Sequence, residues 1–200
     1  MLTKDLPRNN RIKGERKESD ITYKRDVEDH TFENYNTYKT DNPDAIEIQM
    51  DTVEGIKDAD QKVLLTLEIV EIKFLLAFII DHNTQEAVIN KMKEFKNTIT
   101  QEVFDKIMEI LLTDNGSEFI NPNKFTELSD NCHIFYCHPN RSNEKGSVEN
   151  IHEFIRRVIP KGISLNVYNQ EDINLICNNT NSLYRKSLDG KCAFDLVEKY

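Results

Sequence analysis

With 200 residues, 38% hydrophobic and 30% charged side chains, the chain has material for one folded domain plus a tail, and its composition excludes a collagen-like chain or a disulfide scaffold. The net charge of −9 argues at first against a nucleic-acid partner, because backbone phosphates attract lysine and arginine. The charge is unevenly spread, however: residues 1–40 carry +1, residues 41–130 carry −11 and residues 131–200 carry +1. A middle segment dense in carboxylates suits a protein that holds cations, and bound cations offset the repulsion a phosphate would feel there. Most of these acids are expected to be ordinary solvated surface.

No apolar run approaches the roughly 18 residues of a membrane span, and Met1 to Asn10 lacks the apolar stretch of a signal peptide, so a cytoplasmic location without membrane contact is expected. Cys132, Cys137, Cys177 and Cys192 form no Cys-x-x-Cys pair and read as reduced thiols. The cluster Cys132, His133, Cys137, His138 invites a zinc site, but strand alternation would put His133 and Cys137 on one face and Cys132 and His138 on the other. Strand residues packing beside a site are the favoured reading.

Residues 1–40 read as a charged linker or tail, partly disordered, with Lys4, Arg8, Arg11, Lys13, Arg16 and Lys17 near its start. Tyr23, Phe32, Tyr35 and Tyr38 suggest that its second half docks on the adjoining domain. From residue 45, Ile46, Ile48 and Met50 alternate with Glu47, Gln49 and Asp51, the pattern of a strand with three polar residues on one face. Val63–Val70 and Phe74–Ile80 read as two more strands, joined by short turns into an antiparallel meander.

Thr84 is placed to cap a helix carrying Ala87, Val88, Met92 and Phe95, and a second helical stretch covers Thr100 to Met108. Ile110 to Thr113 is a compact buried strand, ended abruptly by Asp114-Asn115-Gly116. A helix around Phe125 and Leu128 comes next, and then a strand over His133–Cys137. A long helix then begins near Glu144 or Ser147 and stops at Pro160. Its Val148, Ile151, Ile155, Val158 and Ile159 recur at helical spacing, with Glu149, His152, Glu153 and Arg156 on a neighbouring stripe. Two further helices are expected over Gln170–Arg185 and Ala193–Lys199. The order of elements fits a ribonuclease-H-like α/β fold, a mixed five-stranded sheet flanked by helices, although pattern alone admits other α/β folds.

Phosphodiester chemistry on two metal ions needs carboxylates converging from separate elements. Asp51 in the first strand, Asp114 at the end of the fourth and Glu149 on the long helix satisfy that demand, since strand ends in such sheets are common ligand sites. Each residue alone has an ordinary explanation: an exposed strand acid, a turn signal and a solvated helix residue.

Together they sit in recognisable motifs. Gln49-Met50-Asp51-Thr52-Val53-Glu54-Gly55, Leu112-Thr113-Asp114-Asn115-Gly116-Ser117-Glu118-Phe119, and His138-Pro139-Asn140-Arg141-Ser142 through Gly146-Ser147-Val148-Glu149-Asn150 resemble the integrase-like core of DDE transposases of bacterial insertion sequences, especially the IS-thirty family. Asp114 and Glu149 are separated by 34 residues, close to the spacing usual in that superfamily. The resemblance runs on through Ile155-Arg156-Arg157-Val158-Ile159-Pro160-Lys161-Gly162 and Arg185-Lys186-Ser187-Leu188-Asp189-Gly190-Lys191.

By that resemblance, residues 41–200 are an integrase-like catalytic core with C-terminal helices. Asp51, Asp114 and Glu149 are its catalytic and metal-binding triad, with two Mg²⁺ or Mn²⁺ ions. The implied activity is metal-dependent DNA strand cleavage and strand transfer, on element ends and target DNA, by a homo-oligomer at the bacterial nucleoid. Asn115, Gly116, Arg141, Lys145, Arg156, Arg157 and Lys161 are candidate DNA contacts, the basic ones through phosphates. Glu153 is an alternative ligand one turn after Glu149, and His138 stands where relatives often have an acid. Complete members carry a helix-turn-helix region ahead of the core, and only some 40 linker-like residues precede the first strand here. Two other readings stay open: a nuclease without joining activity, and a truncated, catalytically silent DNA-binding or transposase-partner protein.

Overall fold

A computed structural model describes residues 28–56, 59–139 and 141–199. Five strands form one mixed sheet: β1 (Glu47–Glu54), β2 (Val63–Ile69), β3 (Phe74–Ile80), β4 (Ile110–Thr113) and β5 (His133–Tyr136), in the spatial order β3-β2-β1-β4-β5. The first three make the expected antiparallel meander, while β4 and β5 join parallel to β1. The long connections needed for parallel pairing are supplied by helices α2 (Gln85–Lys96), α3 (Gln101–Ile107) and the short α4 (Asn123–Thr126). Thr84 and Thr100 cap α2 and α3, each hydroxyl accepting from a backbone N–H in the first turn.

The alternation in β1 sorts its residues to two layers. Ile48 and Met50 face α2 and α3 in the larger core, together with Leu65, Leu67, Met92, Phe104 and Ile134. On the opposite face, α5 (Gly146–Val158) and α6 (Gln170–Asn181) pack Val148, Ile151, Ile155 and Ile173 onto Val53, Leu64, Leu75 and Ala77. The helix α5 has no side-chain N-cap. One of its orphan N–H groups, that of Val148, instead donates to Gln49 Oε1 at 3.0 Å, which fixes the start of the helix over β1.

Both free edges of the sheet are covered, which protects them from pairing with other chains. At β5, Tyr136 N–H donates to His30 O at 2.8 Å, and helix α1 (Phe32–Asp41) lays Phe32, Tyr35 and Tyr38 over Ala45, Ile110, Leu112, Phe135 and Cys137. The expected docking of Phe32, Tyr35 and Tyr38 is thus present, in a helix where the sequence suggested a linker. Residues 1–27 of that segment, Tyr23 and the basic run included, lie outside the described residues. At β3, two amide side chains of α6 clip the backbone. Asn181 accepts from Leu75 N–H at 2.8 Å and donates to Leu75 O at 2.9 Å. Gln170 accepts from Ile79 N–H and donates to Ala77 O, both at 2.9 Å.

Two C-terminal expectations need correcting. The helix expected over Gln170–Arg185 stops at Asn181, whose side chain is committed to β3 and whose carbonyl accepts from Ala193 N–H. No helix fills Ala193–Lys199: Cys192 N–H is captured by the Asp195 carboxylate in a local turn, and only a 3-10 turn forms at Val197–Lys199.

Candidate active site

The parallel register pairs Gln49 with Leu112, so continuing it past the end of β4 sets Asp114 opposite Asp51. Their side chains do converge. Lys145 Nζ stands 3.1 Å from Asp51 Oδ2 and 3.4 Å from Asp114 Oδ2, so the two oxygens are no further apart than those distances together. Asp51 Oδ1 accepts from Thr52 N–H at 2.8 Å, and Asp114 Oδ1 accepts from Gly116 N–H at 2.9 Å. Each carboxylate is therefore held by backbone through one oxygen and offers the other to the shared cation. Asp51 is largely buried, and burial raises its pKa above the usual carboxylate range against the opposing pull of Lys145; the Asp114 charge adds to the rise.

Glu149 is exposed, in the first turn of α5. Among the described residues, no three His, Cys, Asp or Glu side chains are grouped to hold a metal, so the structure brings Asp51 and Asp114 together and leaves Glu149 outside the pair. Its position along the helix is nonetheless on the site's side. Lys145 lies four residues before it and His152 three after, the spacing of one helical stripe. Both reach Asp51, the imidazole at 4.0 Å from Oδ2. Glu153, one turn after Glu149, is exposed.

His152 is enclosed between the helix and the sheet. Its Nε2 lies 2.7 Å from Thr66 Oγ1, which donates to Asp51 O at 3.0 Å. Burial, with the charges of Lys145 and Arg156 nearby, pushes its pKa down to about 4, so the ring is neutral at pH 7. The sequence stripe that contains Glu149 also contains His152, but nothing in it shows that the ring is enclosed beside Asp51.

The loop after β4 is shaped by groups that the sequence assigned to DNA or left without a role. Asn115 Nδ2 donates to Cys137 O at 2.6 Å, tying the loop to the end of β5. Gly116 has an ordinary φ of −59°, so its lack of a side chain serves space rather than conformation. A Cβ there would stand 2.5 Å from Glu118 Oε2. The buried Glu118 accepts from Thr52 Oγ1 at 2.8 Å and from Asn83 Nδ2 at 3.3 Å, joining β1, the Asp114 loop and the segment before α2.

The candidate phosphate contacts divide. Arg141, Arg157 and Lys161 are exposed, with Arg141 3.6 Å from Glu144 and the Arg157 guanidinium 4.7 Å from the Phe154 ring centre. Arg156 is half-buried and donates to Glu54 O at 2.8 Å, pinning α5 to the end of β1. Lys145 is buried on the two aspartates, away from the surface. His138 sits between Glu33 Oε1 at 3.0 Å and Glu144 Oε1 at 2.9 Å, linking α1 to the 3-10 turn Ser142–Lys145. Cys132 and Cys137 are buried in different cores, one on each side of the sheet.

A buried polar row extends from the aspartates toward α1. Glu47 accepts from Tyr35 O–H at 2.8 Å and from Gln49 Nε2 at 2.9 Å. Across β2, Glu68 is 1% exposed, and burial pushes its pKa up to about 7 despite Lys73 and Ser147 nearby. The alternation placed these polar residues on one face, but only α1 and α5 decide that the face is covered.

The donor set suits a hard divalent cation: two carboxylates on adjacent parallel strands, each oriented by a backbone N–H and each facing a positive charge. No protein-family model matches the chain. The transposase for insertion sequence element IS1086 of Cupriavidus metallidurans is 30% identical over 91 residues, covering 44% of this chain and 26% of that protein. The transposase InsI for element IS30A of Escherichia coli is 24% identical over 132 residues, covering 62% of this chain and 34% of that protein. The chain thus spans about a third or less of the length of these curated relatives. Among solved structures, the catalytic core domain of BIV integrase superposes with a TM-score of 0.54 at 15% identity, covering 78% of this chain and 95% of that domain. No described helix is long and apolar enough to cross a membrane. In sequence the chain is similar to part of these insertion-sequence transposases, and its fold is ribonuclease-H-like, the fold of that integrase domain.

Proposed function

We propose that this chain is the catalytic core of a DDE transposase that cleaves DNA strands at element ends and joins them to target DNA, acting as a homo-oligomer on the DNA. The observation that carries this reading is the convergence of Asp51, within β1, and Asp114, just past the end of the parallel β4, around a buried positive charge and beneath the helix that bears Glu149. Similarity of part of the chain to curated transposases supports it from a separate direction.

Asp51, Asp114 and Glu149 would hold two Mg²⁺ or Mn²⁺ ions. When bound, such ions lower the pKa of an attacking water or 3′-hydroxyl and stabilise the leaving oxygen. The chain's own residues prepare the place. The Thr52 and Gly116 N–H groups fix the direction of each aspartate, and Glu118 braces the loop between them. His152, held neutral, fills the space behind Asp51 without adding a competing charge. The exposed Arg141, Arg157 and Lys161 take the phosphates that flank the scissile one, and phosphate contacts of this kind position a strand without reading its sequence.

The test is incubation of labelled element-end DNA with the chain and Mn²⁺, beside Asp114→Ala, with and without a supplied target duplex. Metal-dependent cleavage by the parent and none by the variant is expected, with joined product when target is present. Equal cleavage by both proteins refutes the assignment, and cleavage without joining reduces it to a nuclease.

A further inference from the structure

Lys145 was expected at the DNA surface and is found elsewhere. It ends the 3-10 turn Ser142–Lys145 and immediately precedes α5, yet its side chain is only 6% exposed. Its ammonium meets Asp51 and Asp114 at ion-pair distance, and among the described residues it makes no directed hydrogen bond to any other acceptor. A lysine is seldom buried unless paired, so the two aspartates account for its position. They also need it: the largely buried Asp51 carboxylate and the half-exposed Asp114 carboxylate repel each other, and a positive charge between them offsets that repulsion.

A divalent cation held by the same two carboxylates would lie against that ammonium, and like charges at such range exclude one another. The backbone beside Lys145 is held, since Glu144 accepts from His138 N–H at 2.8 Å, so the movement belongs to the flexible lysine side chain. The turn before it is a single 3-10 segment, α5 lacks a side-chain cap, and the space beside Gly146 is open. Val148, three residues on, is anchored to Gln49, so α5 itself can stay in place while the Lys145 side chain swings out.

We propose that Lys145 is an internal counter-ion, which occupies the aspartate pair while the chain is free of metal and is displaced outward when a divalent cation binds. This role rests on the metal-site reading of Asp51 and Asp114. Displacement frees the ammonium toward solvent, where it becomes available to a DNA phosphate only after the cation has entered. The carboxylate pair is thereby kept together before loading, and the added phosphate contact is coupled to loading.

Two measurements test this, and neither depends on catalysis. Calorimetric titration with Mn²⁺ compares the parent, Lys145→Met and Asp114→Ala. Methionine keeps the length of the side chain and removes its charge, so Lys145→Met should bind Mn²⁺ about tenfold or more tightly than the parent. In the second, the parent is labelled with an amine-acetylating reagent and read by mass spectrometry. Lys145 should react far more slowly than the exposed Lys161 in EDTA and approach its rate in saturating Mn²⁺.

Lys145→Met affinity equal to or weaker than the parent's overturns the counter-ion role while leaving the metal site standing. Labelling of Lys145 as fast as Lys161 in EDTA does the same, and it needs no variant to fold. Absence of Mn²⁺ binding in both parent and Lys145→Met, or unchanged binding in Asp114→Ala, overturns the metal-site reading and the counter-ion role with it.

Discussion

Replacing Asn181 by alanine should cost the fold about 3 kcal/mol, because two backbone groups of an edge strand lose their side-chain partners at once. The Asn181 amide is 1% exposed and makes a matched pair of bonds with Leu75, accepting from its N–H at 2.8 Å and donating to its carbonyl at 2.9 Å. Leu75 is itself fully buried, so water cannot readily take the place of the amide. Each buried group left unpaired costs roughly 1–3 kcal/mol, and relaxation at a sheet edge keeps the pair toward the lower half of the combined range. Gln170 makes the equivalent pair with Ile79 and Ala77 from a more exposed position, so Gln170→Ala should cost about half as much. Urea unfolding followed by circular dichroism measures both, with the dependence on denaturant unchanged if only the folded state is affected. A loss below about 1 kcal/mol for Asn181→Ala would refute the claim that α6 seals the β3 edge by side-chain pairing.

Three further perturbations probe the elements beneath the site. Glu68 takes up a proton more readily folded than unfolded, so its buried charge costs stability increasingly as pH rises from about 4.5 to about 7. Glu68→Gln should therefore be the more stable protein at pH 8, by roughly 2–4 kcal/mol, with the difference vanishing below pH 4.5; thermal unfolding at both pH values checks this. Gln49→Leu removes the acceptor of Val148 N–H and should cost about 1–3 kcal/mol, with faster hydrogen exchange confined to the first turn of α5. Gly116→Ala forces its new methyl against the Glu118 carboxylate, so Gly116→Ala combined with Glu118→Ala should lose less stability than the two single losses together, by about 1 kcal/mol in a double-mutant cycle.

The strands are legible in the sequence because each carries a local signal. Ile46, Ile48 and Met50 alternate, and Ile110 to Thr113 form a short apolar run cut off by Asp114-Asn115-Gly116. Motif and spacing lead to Asp51 and Asp114, which the fold does set side by side. What stays hidden depends on contacts between elements distant in the chain. Phe32, Tyr35 and Tyr38 hint at docking, but the helix they ride on has little apolar character of its own and acquires its place only against Phe135 and Ile110. Lys145, four residues before Glu149, looks like a phosphate ligand in any linear reading. Only the parallel pairing of β1 with β4, which makes an acidic pair, explains why its ammonium turns inward. In the same way the helix ending at Asn181 is cut short by a bond to a strand 106 residues earlier.

Anomalous diffraction from crystals of the chain equilibrated with Mn²⁺ tests the central claim most directly. Manganese should be bound between the Asp51 and Asp114 carboxylates, with the Glu149 carboxylate turned into its coordination shell and Lys145 displaced. Manganese bound elsewhere at saturation, with both aspartates still paired to Lys145, would contradict a metal-loaded catalytic core.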